Sequence, residues 1–311
     1  MNDTQQAAMR LIESNFALET GDTLVLISDG AKPELAASLR TLCPEQGIQF
    51  REYELQDEPD YELPDEAVAL LRGATAALIS TRRSYTHTDG VRGAARTGTR
   101  IATNSSLTQE QLVSGLLCDY QEIARTGARY AALLEAAGDV RITSAAGTDL
   151  SFSIRQQSGM CETGLYVTPG MVGNLPAGEA ACGIDDGTGS GLLVVDGSYP
   201  GLGLLNEPLS LTFEGGAITQ VIGARSAELL ALLEAAGPGG RLLAELGIGL
   251  NPGFEIQGNT LLDEKIAGTV HVATGNDVTF GGSSSVSYHA DAVIRSPRLY
   301  LDGKEVALPG A

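Results

Sequence analysis

The sequence has no apolar run of about 18 residues, the length that a helix needs to cross a bilayer. Its N-terminus, MNDTQQAAMR, also lacks the apolar segment of a secretory signal peptide. The four cysteines form no CxxC pair and show no spacing typical of a disulfide framework; they are Cys43, Cys118, Cys161 and Cys182. We therefore expect a cytoplasmic protein with reduced cysteines and no membrane contact.

Positive charge is also scarce. The chain has 20 Lys and Arg against 39 Asp and Glu, which gives a net charge of −19 and a pI near 4.4. A nucleic-acid partner is not expected, because such a surface needs clustered Lys and Arg to displace counterions. The carboxylates are scattered along the chain, so the acidity indicates a general solubility or halotolerance trait.

The dinucleotide-binding fingerprint GxGxxG is missing as well. After the first buried strand, in DTLVLIS, the chain continues as ISDGAKPE. We therefore do not expect NAD or FAD as a cofactor. Helical and extended patterns nevertheless alternate over residues 1–106. The helical patterns are TQQAAMRLIESNF, PELAASLRTL and DEAVALLRGA, and the extended patterns between them are DTLVLIS, IQFREYEL and ATAALIS. This alternation predicts an α/β N-terminal domain with a parallel sheet.

Residues 107–138 have a helical pattern throughout, with Thr108 as the expected N-cap, and would connect two domains. Residues 139–311 consist mainly of strand patterns separated by glycine-containing turns, and LTFEGGAITQVIG and LYLDGKEVAL indicate β-hairpins. The prediction is an α+β, mostly antiparallel C-terminal domain that carries the catalytic metal site.

The chemistry-bearing side chains are concentrated in this second domain. The chain has three histidines; His289 and Asp291, in VSYHADAVI, would share one face of a strand, and His271 lies in GTVHVATG. Glu179 and Glu245 lie in apolar segments, GNLPAGEAA and LAELGIGLNPG, where an unpaired buried carboxylate is costly. Two imidazoles and three carboxylates are the ligands that a pair of divalent ions requires, with zinc, cobalt or manganese suiting this set.

Each residue also has a simpler interpretation. A single Glu in a glycine-rich segment is more often solvated than metal-bound, and Glu264 and Lys265, just before the GTVH strand, are more readily a solvated pair than contacts of the site. His87 favours a helix-cap or surface role. Arg82 and Arg83 offer a site for a substrate carboxylate, with a solvated face as the alternative.

The segments GNLPAGE, AELGIGLNPG, DEKIAGTVHVATG and the HxD strand, in that order, resemble the C-terminal domain of the aminopeptidase T family of metallopeptidases. The resemblance implies a two-domain homodimer with two divalent metals, held here by Glu179, Glu245, His271, His289 and Asp291. One position departs from the family: Val278 stands where these peptidases carry a Tyr near the metals. Tyr288 does not replace it, because on a strand it would point away from the metal face.

The chain is also similar to the 2,5-dihydroxypyridine dioxygenases, which are mononuclear non-haem iron enzymes of the same fold. The similarity lies in SYHADAVIRSPRLYLDGKEVAL and ATGNDVTFGG. It implies an iron held by the HxD pair, by a His where this chain has Glu245, and by a Ser near Ala273. These dioxygenases lack the Glu that corresponds to Glu179.

Because both glutamates are present, the sequence favours a two-metal, aminopeptidase-like hydrolase that cleaves an amide bond next to a free amino group of a small peptide-like substrate. The alternatives are an iron dioxygenase that opens a hydroxylated pyridine ring, and a repurposed member with altered chemistry.

Overall fold

The computed structural model describes residues 1–56 and 62–310. The chain divides into two compact units, one made of Met1–Glu122 with Thr163–Ala177 and the other of Ile123–Glu162 with Gly178–Ala311. The domain boundaries at residues 106 and 138 stay a prediction; the first compact unit runs further along the chain and takes in a later segment. Among the described residues, every helix is too short or too polar to cross a bilayer.

The elements of the first half of the chain alternate between helix and strand. In order they are α1 (Asp3–Arg10), a π-helical turn (Leu11–Asn15), β1 (Thr23–Ser28), α2 (Pro33–Glu45), β2 (Gln49–Glu54), α3 (Asp65–Arg72), β3 (Ala76–Thr81), α4 (Asp89–Arg96), β4 (Arg100–Ser105), α5 (Gln109–Leu116) and α6 (Tyr120–Ala136). The pattern predicted as one helical stretch after residue 107 is therefore two helices, and Thr108 caps the first of them through a capping box with Gln111.

Strands dominate the second half. They are β5 (Asp139–Thr143), β6 (Asp149–Ser153), β7 (Met160–Glu162), β8 (Val172–Asn174), β9 (Glu179–Gly183), β10 (Ser190–Val195), β11 (Ser198–Tyr199), β12 (Gly203–Leu204), β13 (Leu209–Glu214), β14 (Ala217–Ile222), β15 (Leu243–Gly249), β16 (Val270–Gly275), β17 (His289–Ile294), β18 (Arg298–Leu301) and β19 (Lys304–Val306). Helices α7 (Ser226–Ala236) and α8 (Thr260–Asp263) and short 3-10 turns at Pro238–Arg241 and Val278–Phe280 interrupt them.

The first unit is built on a parallel sheet with strand order β2-β1-β3-β4-β8. Strands β1 and β3 are apolar along most of their length, as expected for parallel strands covered on both faces. Val25, Ile27, Ile79 and Ile101 belong to the buried core of this unit. The strand order reverses between β1 and β3, because the chain adds β2 on one side of β1 and then β3 on the other.

The second unit contains two larger antiparallel sheets, with orders β14-β13-β10-β6-β5-β18-β19 and β17-β16-β15-β9-β7, and a small β11-β12 pair. Together with the parallel sheet, they confirm the predicted fold class. The two hairpins are also confirmed: β13 and β14 join through Gly215 and Gly216, and β18 and β19 through Asp302 and Gly303. All four turn residues have positive φ, which the tight turns of two-residue hairpins require.

Candidate metal centre

The five side chains predicted as metal ligands come together on one face of the sheet β17-β16-β15-β9-β7. Neighbouring strands supply them: Glu179 on β9, Glu245 on β15, His271 on β16, and His289 and Asp291 on β17. Side chains alternate between the two faces of a strand, so His289 and Asp291 share a face as their spacing predicts. The structure places all five within one site, and their role as ligands stays a prediction.

Small residues line the same face between these side chains. The register of the sheet assigns this face to Ala181, Gly183, Gly247, Gly249, Ala273 and Gly275. Their absent or minimal side chains leave the volume above the sheet to the carboxylates and imidazoles. The glycines of these sequence motifs thus form the surface of the sheet beneath the five side chains.

Gly247 shows why a side chain cannot be added on this face. It pairs with His271 across β15 and β16, and a Cβ atom on Gly247 would overlap the imidazole ring of His271. We expect Gly247→Ala to cost about 1–3 kcal/mol of unfolding free energy, because the ring must leave its position. Urea unfolding of metal-free protein measures this cost. In a His271→Ala background the same change should cost much less, and an equal cost in both backgrounds would show that the ring is not the obstacle.

His289 directs one nitrogen at two carboxylates. Its Nδ1 lies 2.7 Å from the backbone oxygen of Asn276, while Nε2 lies 3.0 Å from Glu245 Oε2 and 3.2 Å from Asp291 Oδ1. Burial disfavours the charged ring, but Asp291 and Glu245 outweigh it and raise the pKa of His289 to about 12. In metal-free protein a proton therefore occupies the position that a divalent cation would take.

His271 repeats this arrangement in a more enclosed place. Its Nδ1 lies 3.2 Å from the backbone oxygen of Glu264, and Nε2 lies 3.4 Å from Glu179 Oε2 and 3.6 Å from Glu245 Oε1. Nε2 is buried and makes no hydrogen bond of normal geometry within residues 1–56 and 62–310. Burial lowers the pKa of His271, but Glu245, Glu179 and Asp291 together raise it to about 10. A buried nitrogen without a hydrogen bond needs a partner, such as a water molecule or a cation.

Glu245 connects the two histidines. One of its oxygens faces His271 and the other faces His289. The ligand atoms form two groups of three, each within 4.8 Å: Glu179, Glu245 and His271 in one, and Glu245, His289 and Asp291 in the other. Glu245 belongs to both groups, so its carboxylate is central to any ion held here.

A buried lysine lies beside the first group. Lys265, 1% exposed, places Nζ 2.7 Å from Glu264 Oε1, 3.0 Å from Glu179 Oε1 and 3.0 Å from Glu162 Oε2. The sequence favoured a solvated Glu264–Lys265 pair, and this interpretation is wrong because both residues are buried. The sequence gives no signal for Glu162, because it lies on β7 with no motif around it. Only the pairing of β7 with β9 brings it opposite Glu179.

The carboxyl groups of Glu179 and Glu264, which contact Lys265, have raised pKa values. Burial raises the pKa of Glu179 to about 7, although Lys265 opposes the shift, and burial raises the pKa of Glu264 well above its usual value. The carboxylates outweigh burial at Lys265 and hold the pKa of its ammonium well above the usual value. Lys265 is therefore a permanent cation that compensates part of the negative charge.

Other residues noted in the sequence lie outside the two groups. Val278 is 52% exposed, in the 3-10 turn Val278–Phe280. The Tyr288 hydroxyl lies 2.9 Å from the hydroxyl of Tyr199 and forms a hydrogen bond with it. His87 is exposed, directly before Thr88, which caps α4.

Comparison with known proteins assigns the fold and the family. Residues 49–311 match the family described as NicX, 2,5-dihydroxypyridine 5,6-dioxygenase. A 2,5-dihydroxypyridine 5,6-dioxygenase from Pseudomonas putida is 27% identical over 192 residues; the match covers 57% of this chain and only 55% of the length of that relative.

Two solved structures share the fold. The 2,5-dihydroxypyridine dioxygenase from Pseudomonas putida superposes with a TM-score of 0.77 at 21% identity, covering 99% of this chain and 96% of the other. Wild-type AmpT from Thermus thermophilus superposes with a TM-score of 0.69 at 17% identity, covering 98% and 96%. At these identities the superpositions show the fold alone.

These findings correct the functional prediction. The similarity to aminopeptidase T is confirmed as a shared fold, but the assignment as an aminopeptidase-like hydrolase is wrong, because the family match is to dioxygenases. The prediction of two zinc, cobalt or manganese ions is wrong for the same reason, since this family suggests a single iron ion. By the match over residues 49–311, this chain belongs to the 2,5-dihydroxypyridine 5,6-dioxygenase family.

Proposed function

We propose that this protein is an iron-dependent dioxygenase that uses molecular oxygen to open a dihydroxylated pyridine ring. The observation that carries the proposal is the group formed by Glu245, His289 and Asp291, found in a chain of this family. Its three ligand atoms lie within 4.8 Å of one another. The substrate class is taken from the named relatives and is part of the proposal.

The donor atoms fit a single ferrous ion. They are one imidazole nitrogen and two carboxylate oxygens, with the second imidazole, His271, next to Glu245. Non-haem iron oxygenases commonly hold iron with two imidazoles and one carboxylate; this group has the same donor types, without thiolate, in the opposite ratio. The Nε2 atoms of both histidines face carboxylates, so each histidine already has the orientation that a cation requires.

Exposure distinguishes the two groups. The His289 side chain is 33% exposed and lies on β17, at the edge of the sheet, whereas the His271 side chain is 1% exposed. An oxygenase needs ion positions that oxygen and substrate reach. This need favours Glu245, His289 and Asp291 as the iron ligands, with His271 deeper in the protein.

The protein's own groups then have distinct tasks. Glu245, His289 and Asp291 would hold the ion, and a ferrous ion, when bound, supplies the one-electron chemistry that oxygen needs to react with an aromatic ring. The backbone oxygen of Asn276 orients His289. Lys265 offsets the charge of Glu179, which limits the negative potential around the ion.

The ligand set differs from the one implied by the dioxygenase resemblance at Glu245 and Ala273. In the sheet, Ala273 pairs with Glu245 on one side and with Asp291 on the other, so its methyl group lies between two carboxylates. A carboxylate at 245 adds a negative charge to the iron site. We infer that Glu245 supplies the third protein ligand, at the position where the resembling enzymes use an imidazole.

Two carboxylate-to-amide variants test the proposal, one in each group. After anaerobic loading with ferrous iron, the wild-type protein should bind about one iron per chain and consume oxygen with 2,5-dihydroxypyridine. Asp291→Asn should lower oxygen consumption by more than about a hundredfold. Glu179→Gln should retain iron, and its oxygen consumption should fall by less than about tenfold. Iron content is measured by metal analysis and turnover with an oxygen electrode.

Two results would contradict this assignment. If Glu179→Gln releases iron while Asp291→Asn keeps it, the ion is held by the inner group. If iron-loaded wild-type protein consumes no oxygen with any dihydroxypyridine isomer, the proposed substrate class is wrong.

A further inference from the structure

A row of polar side chains crosses the first unit where its parallel strands end. Ser28 on β1 pairs with Ser80 on β3, and Ser80 pairs with Asn104 on β4. All three are buried, and the residues before them in these strands are mostly apolar. A buried polar row at the carboxyl edge of a parallel sheet is costly unless it serves binding or is fully hydrogen-bonded.

Asn104 is not fully hydrogen-bonded. Its Oδ1 accepts a hydrogen bond of 3.0 Å from the Ser80 hydroxyl. Its Nδ2 is buried and finds no acceptor in the described part of the chain. The row therefore presents an unsatisfied donor.

Lys32 presents a second unsatisfied donor at the same edge. It follows β1, precedes Pro33 at the start of α2, and is 4% exposed. Its Nζ is buried and has no hydrogen-bond partner among residues 1–56 and 62–310. Burial lowers the pKa of Lys32 and the charge of Asp29 only partly opposes this, while Arg82 adds to the lowering.

The nearby carboxylate is already engaged. Asp29 Oδ1 accepts from the backbone N–H of Ala31 at 3.1 Å, and Oδ2 accepts from the backbone N–H of Arg82 at 2.8 Å. The Arg82 guanidinium approaches Asp29 only to 3.7 Å, and its side chain is 68% exposed. Lys32 Nζ and Asn104 Nδ2 therefore both lack an acceptor in the described part of the chain, and an oxyanion would supply one.

Hydrogen bonds join the loops that follow these strands. The loop after β3 is tied to the loop after β1 by the Arg82–Asp29 bond, and to the segment after β4 by Ser106, whose N–H and hydroxyl both donate to the Arg82 carbonyl. The strand order reverses between β1 and β3, and ligands of such sheets bind at the carboxyl edge at this reversal.

We propose that the carboxyl edge of this parallel sheet binds a small oxyanion, the phosphate or carboxylate group of a small molecule, through Lys32, Arg82 and Asn104. The ammonium and guanidinium supply charge, and the Asn104 amide supplies a neutral donor. Recognition is by side chains, because the glycine-rich fingerprint for a nucleotide pyrophosphate is absent after β1. None of these residues belongs to the metal centre.

The test uses inorganic phosphate, with acetate as a second arm, against sodium chloride at equal ionic strength. Binding is followed by calorimetry and by thermal unfolding on the full chain, with and without added metal, because phosphate also binds metal ions. We expect saturable binding at one site per chain that does not depend on metal. A preference for phosphate or for acetate identifies which oxyanion the site takes.

Lys32→Met should weaken binding by about tenfold to a hundredfold, since it removes a charged donor but keeps the apolar stem. Without phosphate this variant should unfold at the same or a higher temperature than wild type, because a buried unpaired ammonium is lost. A purely structural lysine would show the reverse. Lys304→Met, at an exposed lysine of β19, is the matched control and should bind as wild type does.

Arg82→Met is the second variant, at a side chain exposed enough that folding is not at issue. It should also weaken binding, by about tenfold. The proposal is overturned if wild type binds neither anion at about 10 mM, or if Lys32→Met binds both anions as wild type does. Should Lys32→Met fail to fold, unchanged binding by Arg82→Met overturns it.

Discussion

Glu245→Gln should yield a folded protein that no longer retains iron. Glu245 is the one residue that both three-ligand groups contain, and its two oxygens face His271 and His289. An amide keeps the shape of the side chain but removes its charge, so both groups lose a ligand that attracts a cation. We expect iron affinity to fall by more than about a hundredfold, and oxygen consumption to fall to background.

Metal analysis after desalting and a competition titration with a chelator measure the change in affinity. Glu135→Gln, the same chemical change at an exposed position of α6, is the control and should keep wild-type iron content. Circular dichroism confirms that both variants are folded. If Glu245→Gln retains one tightly bound iron per chain, the site does not depend on this carboxylate, and the proposed ligand set is wrong.

Lys265→Met should be the most destabilising of these substitutions. The ammonium contacts three carboxylates, those of Glu162, Glu179 and Glu264, and is almost fully enclosed. Its removal leaves several partly buried negative charges without a partner, at a cost of about 3–5 kcal/mol of unfolding free energy. Urea unfolding of metal-free protein measures the loss, with Lys304→Met as the control at an exposed lysine.

The loss should depend on pH in a defined direction. The pKa of Glu179 is raised to about 7 by burial even with Lys265 present, and without the ammonium it rises further. A carboxyl group whose pKa is higher in the folded than in the unfolded protein gives stability that decreases as pH rises through the folded value. The loss of unfolding free energy caused by Lys265→Met should therefore be smaller at pH 5 than at pH 8. A loss that is equal at both would mean that the carboxylates do not carry the cost.

The secondary structure was largely accessible to prediction because it depends on short-range patterns. The turn residues Gly215–Gly216 and Asp302–Gly303 favour positive φ, and this local preference is enough to predict both hairpins. Thr108 marked the start of α5 by its capping chemistry. The helical pattern after 107 did not reveal that α5 and α6 are separate, because both helices are amphipathic and the break between them is only a few residues long.

The candidate site was predicted in part. The spacing of His289 and Asp291 placed them on one face, since the period of a strand is two residues. The involvement of Lys265 and Glu162 was not predictable, because it depends on burial and on the pairing of β7 with β9. The wrong choice of hydrolase over dioxygenase has a related origin: carboxylates and imidazoles identify a divalent-metal site, but residue types alone do not set the number of ions or the reaction.

The amino-acid sequence by itself determined the alternation of elements, the hairpin turns and the five side chains suited to a metal, because these follow from local backbone preferences and from donor chemistry. Only the tertiary structure decided that Glu245 lies between the two histidines, that Lys265 is a buried counter-charge, and that Lys32 and Asn104 are unsatisfied at one sheet edge. The physical reason is that distance and desolvation, which control electrostatic energy, are set by strand register between residues far apart in the chain.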